Sequence, residues 1–525
     1  MKNALNSVKV ASPNTNAFDL SHDVKFSCNM GELVPIMAME CIPGDRVRLG
    51  SENVVRLAAM LAPMMHRLDV RVEYAFVPSR ILWPNWETWI SNGGDQITQV
   101  NPLPAHPFAR YAKTAVGGSK VWAWNRLMDF MGLPNPEEGS SPESYETFDP
   151  MCFAAYQQIW RDLYRDENLV PDPWDGDPIL SDDGLLDNDH VFEIRKRAWE
   201  ADYFTKALPF AQKGVPVDVP LGDVKLKDEV GVAGELKQAV NHLGWPNATL
   251  GSAPLTSTLV DTSSSNKELV YDPNGTLEVG STTINDLRIA YKLQEWLERN
   301  ARGGTRYSEL IRSHFGVRPQ DARLQRAEYI VGVKNPIQIS EVLNMTGTDT
   351  APQGTMAGHG ISYSGGNWGK YFVQEHGYII GIFSVMPKTC YQQGIPRHFL
   401  KFGDPTQKAW PTFAHLGEQE VENREIFAFQ GAPGLNAFGY QSRYMEYKNL
   451  PSRVAGEFRS SLDFWHMGRK FDPSSPPALN QQFIEADPTV RVFAVTDPET
   501  DHLYCQVMNH VMAVRTLPVY GTPSF

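Results

Sequence analysis

Residues 70–77 read VRVEYAFV and end at Pro78, and residues 378–386 read YIIGIFSVM. Both segments are dominated by β-branched and aromatic residues, which is typical of strands, and the proline marks the end of the first one. The second segment is the longest apolar run of the chain, yet it is too short to cross a bilayer. A continuous apolar run of this length predicts a strand that is buried on both faces.

Further segments indicate β structure on either side of these two strands. Leu33–Ile36 and Val47–Leu49 are candidate strands near the N-terminus, and residues 371–386, 424–430 and 491–496 are candidates in the second half of the chain. The predicted strands are short and irregularly spaced, and long loops connect them. This arrangement predicts a mainly β fold, either a sandwich or a jelly roll, with long insertions and a few helices.

The few helices are predicted from the spacing of their apolar residues. Met151–Tyr164 has helical spacing, and Thr283 with Asp286 forms a capping pair ahead of a helix that Gly303 and Gly304 end. A second short helix is predicted at Tyr307–His314. Residues 51–67 are also interpreted as a short helix, ended or kinked by Pro63. Its predicted apolar face comprises Leu57, Met60, Leu61, Met64 and Met65.

Residues 80–150 are rich in Trp, Pro and Asn, which is typical of a long, ordered loop. Large aromatic side chains bury much apolar area, so we expect the tryptophans to anchor this loop on the core. The predicted anchors are Trp83, Trp86, Trp89, Trp122 and Trp124.

The composition indicates large buried contacts. Of the 525 residues, 42% are hydrophobic, 11% aromatic and 21% charged. Interfaces of obligate oligomers are rich in aromatic and poor in charged residues, so this balance favours a chain that assembles with copies of itself. The net charge of −13 argues against a free nucleic-acid-binding protein, because phosphate contacts need a basic surface. Any contact with nucleic acid must be local, on one basic face, or assisted by another basic protein.

The cysteines and the N-terminus indicate a soluble protein made in the cytosol, without membrane insertion. No CxxC pair is present, so neither a zinc site nor a disulfide framework is predicted, and reduced thiols are expected. The N-terminal segment lacks the apolar core of a signal peptide. The cysteines are widely scattered, at Cys28, Cys41, Cys152, Cys390 and Cys505.

Residues 213–283 differ from the rest of the chain. They contain only two aromatic residues, Trp245 and Tyr271, and their second half is dominated by Ser, Thr, Gly and Asp. Such a segment contributes little to a hydrophobic core. We therefore interpret it as a surface insertion between two parts, residues 1–212 and 284–525, that together form the main β domain.

No catalytic signature is present, and we predict no enzyme activity, no cofactor and no metal. The sequence has no HExxH, Walker or GxSxG motif. Gly354–Gly360 is interpreted as a loop, because its glycines lack the dinucleotide-binding spacing. The histidines (for instance His66, His314, His359 and His376) are isolated, which favours structural hydrogen bonding. The acidic loop Asp172–Asp189 is the only cation candidate, and it does not follow the EF-hand order.

A basic segment lies between Arg288 and Arg326, and its positive charges are mostly arginines. Arginine pairs readily with phosphate, and Tyr307, His314 and Phe315 could stack on bases. The alternative, which the frequency of arginine in interface cores favours, is that these arginines bridge subunits or buried loops. The candidates for contact with DNA are Arg299, Arg302, Arg306 and Arg312.

Several blocks, spread over nearly the whole chain, resemble the major capsid protein of microviruses, specifically the gokushovirus group. The most specific is Ile284–Gly304, INDLRIAYKLQEWLERNARGG, followed by Tyr307–Val317, YSELIRSHFGV. The other blocks are FDLSH (18–22), CNMGELVP (28–35), LAPMMHR (61–67), YAFVP (74–78) and YGTPSF (520–525).

The resemblance implies a single viral jelly roll, an eight-stranded antiparallel sandwich with long insertions. Sixty copies would close a T=1 icosahedral shell, through two-, three- and five-fold contacts, around circular single-stranded DNA. The virion would assemble in the host bacterial cytoplasm, with a pilot protein and a small basic DNA-binding protein as partners.

The family also carries a variable insertion that forms a protrusion at the three-fold axis, and residues 213–283 occupy the corresponding place. Within them, Trp245, Asn247, Tyr271 and Asn274 are the residues predicted to contact a host receptor. Two alternatives remain open from the residues alone. One is a carbohydrate-binding β-sandwich, which would explain the Trp- and Asp-rich loops. The other is a glycoside hydrolase with two carboxylates, although no pair stands out.

Overall fold

A computed structural model describes most of the chain, and residue contacts divide it into two compact units. The first unit comprises Met1–Ala211 with Ala301–Phe525, and the second comprises Gln212–Asn300. The described residues are 14–91, 103–115, 120–136, 145–181, 183–218, 224–226, 277–279, 283–343, 356–366, 368–428, 437–497 and 500–520.

Strands are the main secondary structure, and the helices are mostly short. The strands are β1 (Asn16–Asp19), β2 (His22–Cys28), β3 (Val34–Cys41), β4 (Arg46–Leu57), β5 (Leu68–Pro78), β6 (Ala109–Ala112), β7 (Trp122–Ala123), β8 (Glu146–Phe148), β9 (Val224–Leu226), β10 (Leu277–Val279), β11 (Glu328–Leu343), β12 (Met356–Gly365), β13 (Gly369–Phe372), β14 (Gly377–Pro387), β15 (Glu418–Glu422), β16 (Ala437–Ser442) and β17 (Leu503–Arg515). The α-helices are α1 (Ser79–Leu82), α2 (Trp86–Ile90), α3 (Arg126–Met131), α4 (Met151–Ile159), α5 (Ile284–Gly303), α6 (Tyr307–Phe315), α7 (Asn423–Ile426) and α8 (Gln481–Ile484).

The first unit is a jelly roll built on two antiparallel sheets. The first sheet has the strand order β3-β14-β5-β11, and the second has the order β2-β17-β4-β12, with β1 beside β17 and β13 beside β4. Strand β11 joins the two sheets, because Glu328–Ile337 pair with β5 and Gln338–Leu343 pair with β12. The predicted fold class, a viral jelly roll with eight main strands and long insertions, is confirmed.

The core lies between the inner faces of the two sheets. Tyr74 of β5 reaches across the sandwich, and its hydroxyl donates a hydrogen bond to Asn509 Oδ1 of β17 at 2.6 Å. Asn509 Nδ2 in turn donates to the carbonyl of Ile36 on β3 at 3.1 Å, so the buried polar groups satisfy each other. The inner face of the first sheet contributes Val34, Ile36, Val70, Val72, Phe76, Phe383 and Val385, and that of the second contributes Val47, Leu49, Val55, Leu503, Val507 and Val511.

The two segments that decide the fold are adjacent strands buried on both faces. Val70 of β5 pairs with Val385 of β14 in the centre of the first sheet. On the outer face of this sheet, Val77 and Ile382 pack under helix α4 and the tryptophan-rich loop. The continuous apolar run is therefore explained by packing on both sides, as predicted.

The outer cover of the first sheet also confirms the predicted tryptophan anchors and the helix at 151–164. Helix α4 continues into a π-helical turn at Trp160–Tyr164. Trp83 is fully buried, and its Nε1 donates to Asp183 Oδ1 at 2.9 Å. Trp86 is also buried, and Trp89, Trp122 and Trp124 pack against the same cluster.

The helix predicted at residues 51–67 is wrong. Residues 51–57 continue strand β4, which pairs along its length with β17 and along part of it with β12 and β13. The backbone hydrogen bonds to these strands outweigh the helical spacing of the apolar residues. Met60 and Met64 do reach the core, whereas Leu61 and Met65 are exposed.

Three predictions in the second half of the chain also need correction. Residues 424–426 lie in helix α7, because Glu422 and Glu425 form a capping box that favours a helix start; residues 429–430 lie outside the described residues. Residues 491–496 form no strand beyond an isolated bridge between Phe493 and Met60. Met356–Gly360, interpreted as a loop, belong to strand β12, which pairs with β11, and residues 354–355 are outside the described part.

The second unit contains a short antiparallel strand pair and most of helix α5. Val224 of β9 pairs with Val279 of β10. The predicted cap of α5 is present, because Asp286 N donates to Thr283 Oγ1 at 3.1 Å and Thr283 N donates to Asp286 Oδ2 at 3.2 Å. Most of residues 213–283 lie outside the described residues, including Trp245, Asn247, Tyr271 and Asn274, so the surface insertion stays a prediction.

Candidate functional site

Arg302 and Arg306 of the basic segment are held by partners in the same chain. Arg302 forms an ion pair with Glu418, and its Nη1 donates to Gln441 Oε1 at 3.1 Å. Arg306 Nε lies 2.7 Å from Glu167 Oε1, and Nη2 donates to the carbonyl of Arg165 at 2.8 Å. The Arg306 contacts tie the start of α6 to the segment that follows the π-helical turn, and the Arg302 contacts tie that arginine to β15 and β16.

Arg299 and Arg312 have a different environment, because both are exposed. Arg299 lies 3.5 Å from Glu295, one turn away on α5, and a solvent-exposed pair of this kind contributes little to stability. Arg312 lies on α6, which runs from Tyr307 to Phe315 and ends at Gly316 in a left-handed conformation, with φ of 70°. The four predicted arginines therefore divide into two that hold the fold and two that are open to an external partner.

In the acidic loop Asp172–Asp189, the carboxylates described below each contact their own partners and do not converge on one point. Asp172 accepts a hydrogen bond from Arg161 Nε at 2.8 Å, and Asp187 lies 2.9 Å from Lys120 Nζ. Asp183 accepts from Trp83 and Asn85, while Asp182 is outside the described residues. In the ranges that the structure covers, no three His, Cys, Asp or Glu side chains come together as a metal site would require. The loop is thus anchored by hydrogen bonds and ion pairs.

Two of the isolated histidines, His66 and His376, contact other residues of the fold. His66 Nε2 lies 2.6 Å from the carbonyl of Lys388, and burial lowers the pKa of its imidazole. The His376 ring packs against Trp86 with a centroid separation of 5.9 Å.

Within the described ranges, no helix has both the length and the apolar character needed to cross a membrane.

Two stretches, one before β15 and one after β16, expose apolar side chains that the sequence interpretation missed. We call these side chains the apolar patch. Its two parts contact each other, because Ala409 N donates to the Tyr447 hydroxyl at 3.4 Å and Lys401 Nζ lies 3.9 Å from the Tyr447 ring centroid. Large exposed apolar side chains that lie close together are typical of an interface between proteins. The apolar patch comprises Phe399, Phe402, Trp410, Leu416, Tyr447 and Leu450, of which Phe402 and Leu450 are about four-fifths exposed, at 79% and 81%.

The only sequence signal for this patch is the density of aromatic residues between the predicted strands, and that signal does not distinguish an exposed side chain from a buried one. Neighbouring aromatics in the same region, Phe427 and Phe438, are buried. Tertiary packing therefore decides which of them remain available for contacts with another molecule.

Known proteins with similar sequences are phage capsid proteins. Residues 6–525 match the family described as capsid protein (F protein). The chain is 32% identical to capsid protein VP1 of Chlamydia phage 1, with 100% of this chain and 98% of the relative covered. It is 33% identical to capsid protein VP1 of Bdellovibrio phage phiMH2K, with 97% and 95% covered.

A third relative is capsid protein VP1 of Spiroplasma virus 4, which is 29% identical over 96% of this chain and 94% of the relative. These full-length similarities favour the capsid interpretation over a carbohydrate-binding sandwich or a glycoside hydrolase, and they confirm the resemblance found in the sequence. The chain belongs to the family of phage capsid proteins described as capsid protein (F protein).

Proposed function

We propose that sixty copies of this chain close a T=1 icosahedral shell around circular single-stranded DNA. The full-length match to capsid proteins carries this proposal. The apolar patch supports it, because an obligate assembly requires apolar surface that becomes buried between copies. The shell would form in the cytoplasm of the bacterial host, together with a pilot protein and a small basic DNA-binding protein. The basic protein would offset the net charge of −13 near the DNA.

Polar substitutions in the apolar patch are expected to prevent shell formation without unfolding the chain. Phe402→Ser combined with Leu450→Ser removes two large exposed apolar side chains that make few contacts within the chain. We expect sedimentation and electron microscopy to find shells of uniform size for the unaltered protein and only small particles for this variant, with the same circular dichroism spectrum. Phe402→Leu with Leu450→Met keeps the surface apolar and serves as the matched control. Normal shells from the serine variant would contradict a role of the patch in assembly.

We further propose that residues 213–283 form the three-fold protrusion and contact the host receptor. The segment is poor in aromatic residues, and long insertions cost a scaffold little loop-closure free energy. Replacing the segment with a short Gly-Ser linker should leave assembly and DNA content unchanged, while attachment to host cells, measured with labelled particles, should fall strongly. A more selective variant replaces Trp245, Asn247, Tyr271 and Asn274 with alanine. Loss of assembly in both variants would place the segment in the lattice instead.

For the basic segment, we propose that Arg299 and Arg312 contact the packaged DNA, while Arg302 and Arg306 contribute mainly through the fold. Exposed guanidinium groups can bind phosphates without reading the base sequence. Replacing Arg299 and Arg312 with glutamine should lower the DNA content of shells that still form, measured by the ratio of absorbance at two ultraviolet wavelengths. Arg302→Gln and Arg306→Gln should instead lower the urea midpoint of unfolding. The proposal fails if the first pair of changes leaves the DNA content unaltered.

A further inference from the structure

The two sheets of the jelly roll differ on their outer faces. The outer face of the first sheet is covered by α4 and the tryptophan-rich loop. Within the described residues, the outer face of the second sheet is open: along β4, Arg46, Arg48 and Arg56 are exposed, and they alternate with buried Val47, Leu49 and Val55. We call this open surface, formed by β4, β12, β13 and β17, the basic face.

The basic face concentrates positive charge that the chain does not neutralise. Lys370 of β13 lies directly opposite Arg48 of β4. Like charges in directly opposed positions destabilise a sheet. An anion bound from outside would reduce the repulsion between these two side chains. No carboxylate among the described residues forms an ion pair with Arg46, Arg48, Arg56 or Lys370. Glu52, on the same side of β4, accepts a hydrogen bond from the Tyr363 hydroxyl at 3.1 Å and lies 3.5 Å from His510 Nε2.

An aromatic platform lies among these charges. The ring of Trp368 rests on Gly50, where an added Cβ would lie 3.0 Å from the ring atoms, so only glycine lets the indole lie against the strand. The Arg48 guanidinium stands 4.4 Å from the Trp368 ring centroid, and the His510 ring is 5.4 Å away. Trp368 keeps 48% of its surface exposed, and Phe372, next to Lys370, keeps 51%.

We propose that the basic face binds single-stranded DNA and forms a part of the inner shell wall that contacts the genome, separate from Arg299 and Arg312. The inference deepens the proposed function and rests on it for the location inside the shell. Single-stranded DNA supplies both partners that this surface lacks: phosphates for Arg46, Arg48 and Lys370, and unpaired bases that stack on aromatic rings. An acidic protein segment would satisfy the charges but would leave the exposed rings without a flat partner. On a chain with a net charge of −13, such a basic surface is a local exception.

Two variants test the two halves of this surface. Arg48→Gln with Lys370→Gln removes the charges, and Trp368→Leu removes the stacking ring. The control is Lys113→Gln with Lys206→Gln, which makes the same change of net charge at exposed positions away from the basic face. Each protein is assayed twice. The first assay measures the DNA content of its shells from infected cells. The second assay titrates the purified unassembled protein with a fluorescent polythymidylate oligonucleotide and with a duplex of equal length.

We expect both basic-face variants to form shells with reduced DNA content, while the control pair matches the unaltered protein. Trp368→Leu should weaken oligonucleotide binding about tenfold and affect duplex binding less, because only unpaired bases stack. The charge variant should also show a shallower dependence of affinity on salt.

Unaltered DNA content and affinity in both variants would overturn the inference. So would a charge variant that stays folded but forms no shells, since the basic face would then be a contact between copies. If the unaltered protein formed no shells at all, the proposed shell would fail, yet the oligonucleotide titration would still report on the basic face by itself.

Discussion

Replacing Trp83 with alanine is expected to lower the free energy of unfolding by about 3–5 kcal/mol, the usual range for a buried aromatic residue. Trp83 is fully buried between the first sheet and its cover, and its ring lies 5.4 Å from His106 and 6.3 Å from Trp89. The substitution leaves a cavity, and it also removes the hydrogen bond from Nε1 to Asp183. A loss of this size is a large part of the stability of an ordinary domain, so fewer protomers would reach the shell.

Urea unfolding of the unassembled protein, followed by tryptophan fluorescence and circular dichroism, measures the effect. Trp410→Ala is the matched control, because Trp410 is about half exposed, at 52%, and makes one side-chain hydrogen bond, to the carbonyl of Pro405. We expect the control to change stability by about 1 kcal/mol or less. Equal midpoints for the two variants would contradict the role of Trp83 as the anchor of the cover.

The second large effect concerns Glu200, which pairs with cations on two strands of the first sheet and just after a third strand. Its carboxylate pairs with Arg71 of β5, Lys334 of β11 and Lys388, which follows β14, with the Lys388 Nζ contact at 3.0 Å. Burial acts to raise the pKa of Glu200, but hydrogen bonds and charges from Lys334 and Lys388 outweigh burial and bring the pKa down to about 2. Folding therefore stabilises the ionised form of the Glu200 carboxylate relative to its protonated form.

The direction of the pH dependence follows from this lowered pKa. The folded value of about 2 is below the ordinary value of 4.5, so the stabilisation is fully present above about pH 4.5 and is lost as the pH falls toward 2. Glu200→Gln removes the charge at every pH and leaves three cations without their shared partner. We expect it to cost about 2 kcal/mol at neutral pH, with some of the full pKa difference discounted for solvent screening.

Urea midpoints measured from pH 7 down to pH 2 test this prediction. The difference between the unaltered protein and Glu200→Gln should be constant above about pH 5 and should shrink as the solution becomes more acidic. Asp487→Asn provides the control, because the Asp487 side chain is 85% exposed where it pairs with Lys196, and its removal should change little at any pH. A difference that grew at acidic pH would contradict the assigned role of Glu200.

Much of the fold could be predicted because its signals are local. The apolar runs at 70–77 and 378–386 predicted strands buried on both faces, and the observed pairing of Val70 with Val385 agrees. The cap of α5 at Thr283 and Asp286, and the short helix α6, follow from side chains within one or two turns of the chain. Strand β17 was missed because LYCQVMNHVMAVR does not alternate apolar and polar residues, although its burial alternates: Met508 and Met512 lie on the outer side, and Asn509 is buried.

Other features depend on partners that lie far away in the sequence. The helical spacing of residues 51–67 was misleading because β4 pairs with β17, which is more than four hundred residues further along the chain. The partners of Arg302 and Arg306, Glu418 and Glu167, could not be predicted for the same reason. An arginine in a sequence shows that a charge is present, but it does not show whether a carboxylate will be placed beside it.

The sequence by itself thus determined a mainly β fold with insertions, the tryptophan anchors and the helix cap, because periodicity, composition and capping act through neighbouring residues. The single jelly roll and the capsid family were implied by the resemblance of its sequence blocks to microvirus capsid proteins. Only the tertiary structure decided which surfaces remain open. It covered one face of the first sheet, left the apolar patch exposed, and brought Trp368 onto Gly50 beside Arg48 and Lys370. The physical reason is that exposure and charge neutralisation are properties of the packed chain, fixed by contacts between strands that are distant in sequence.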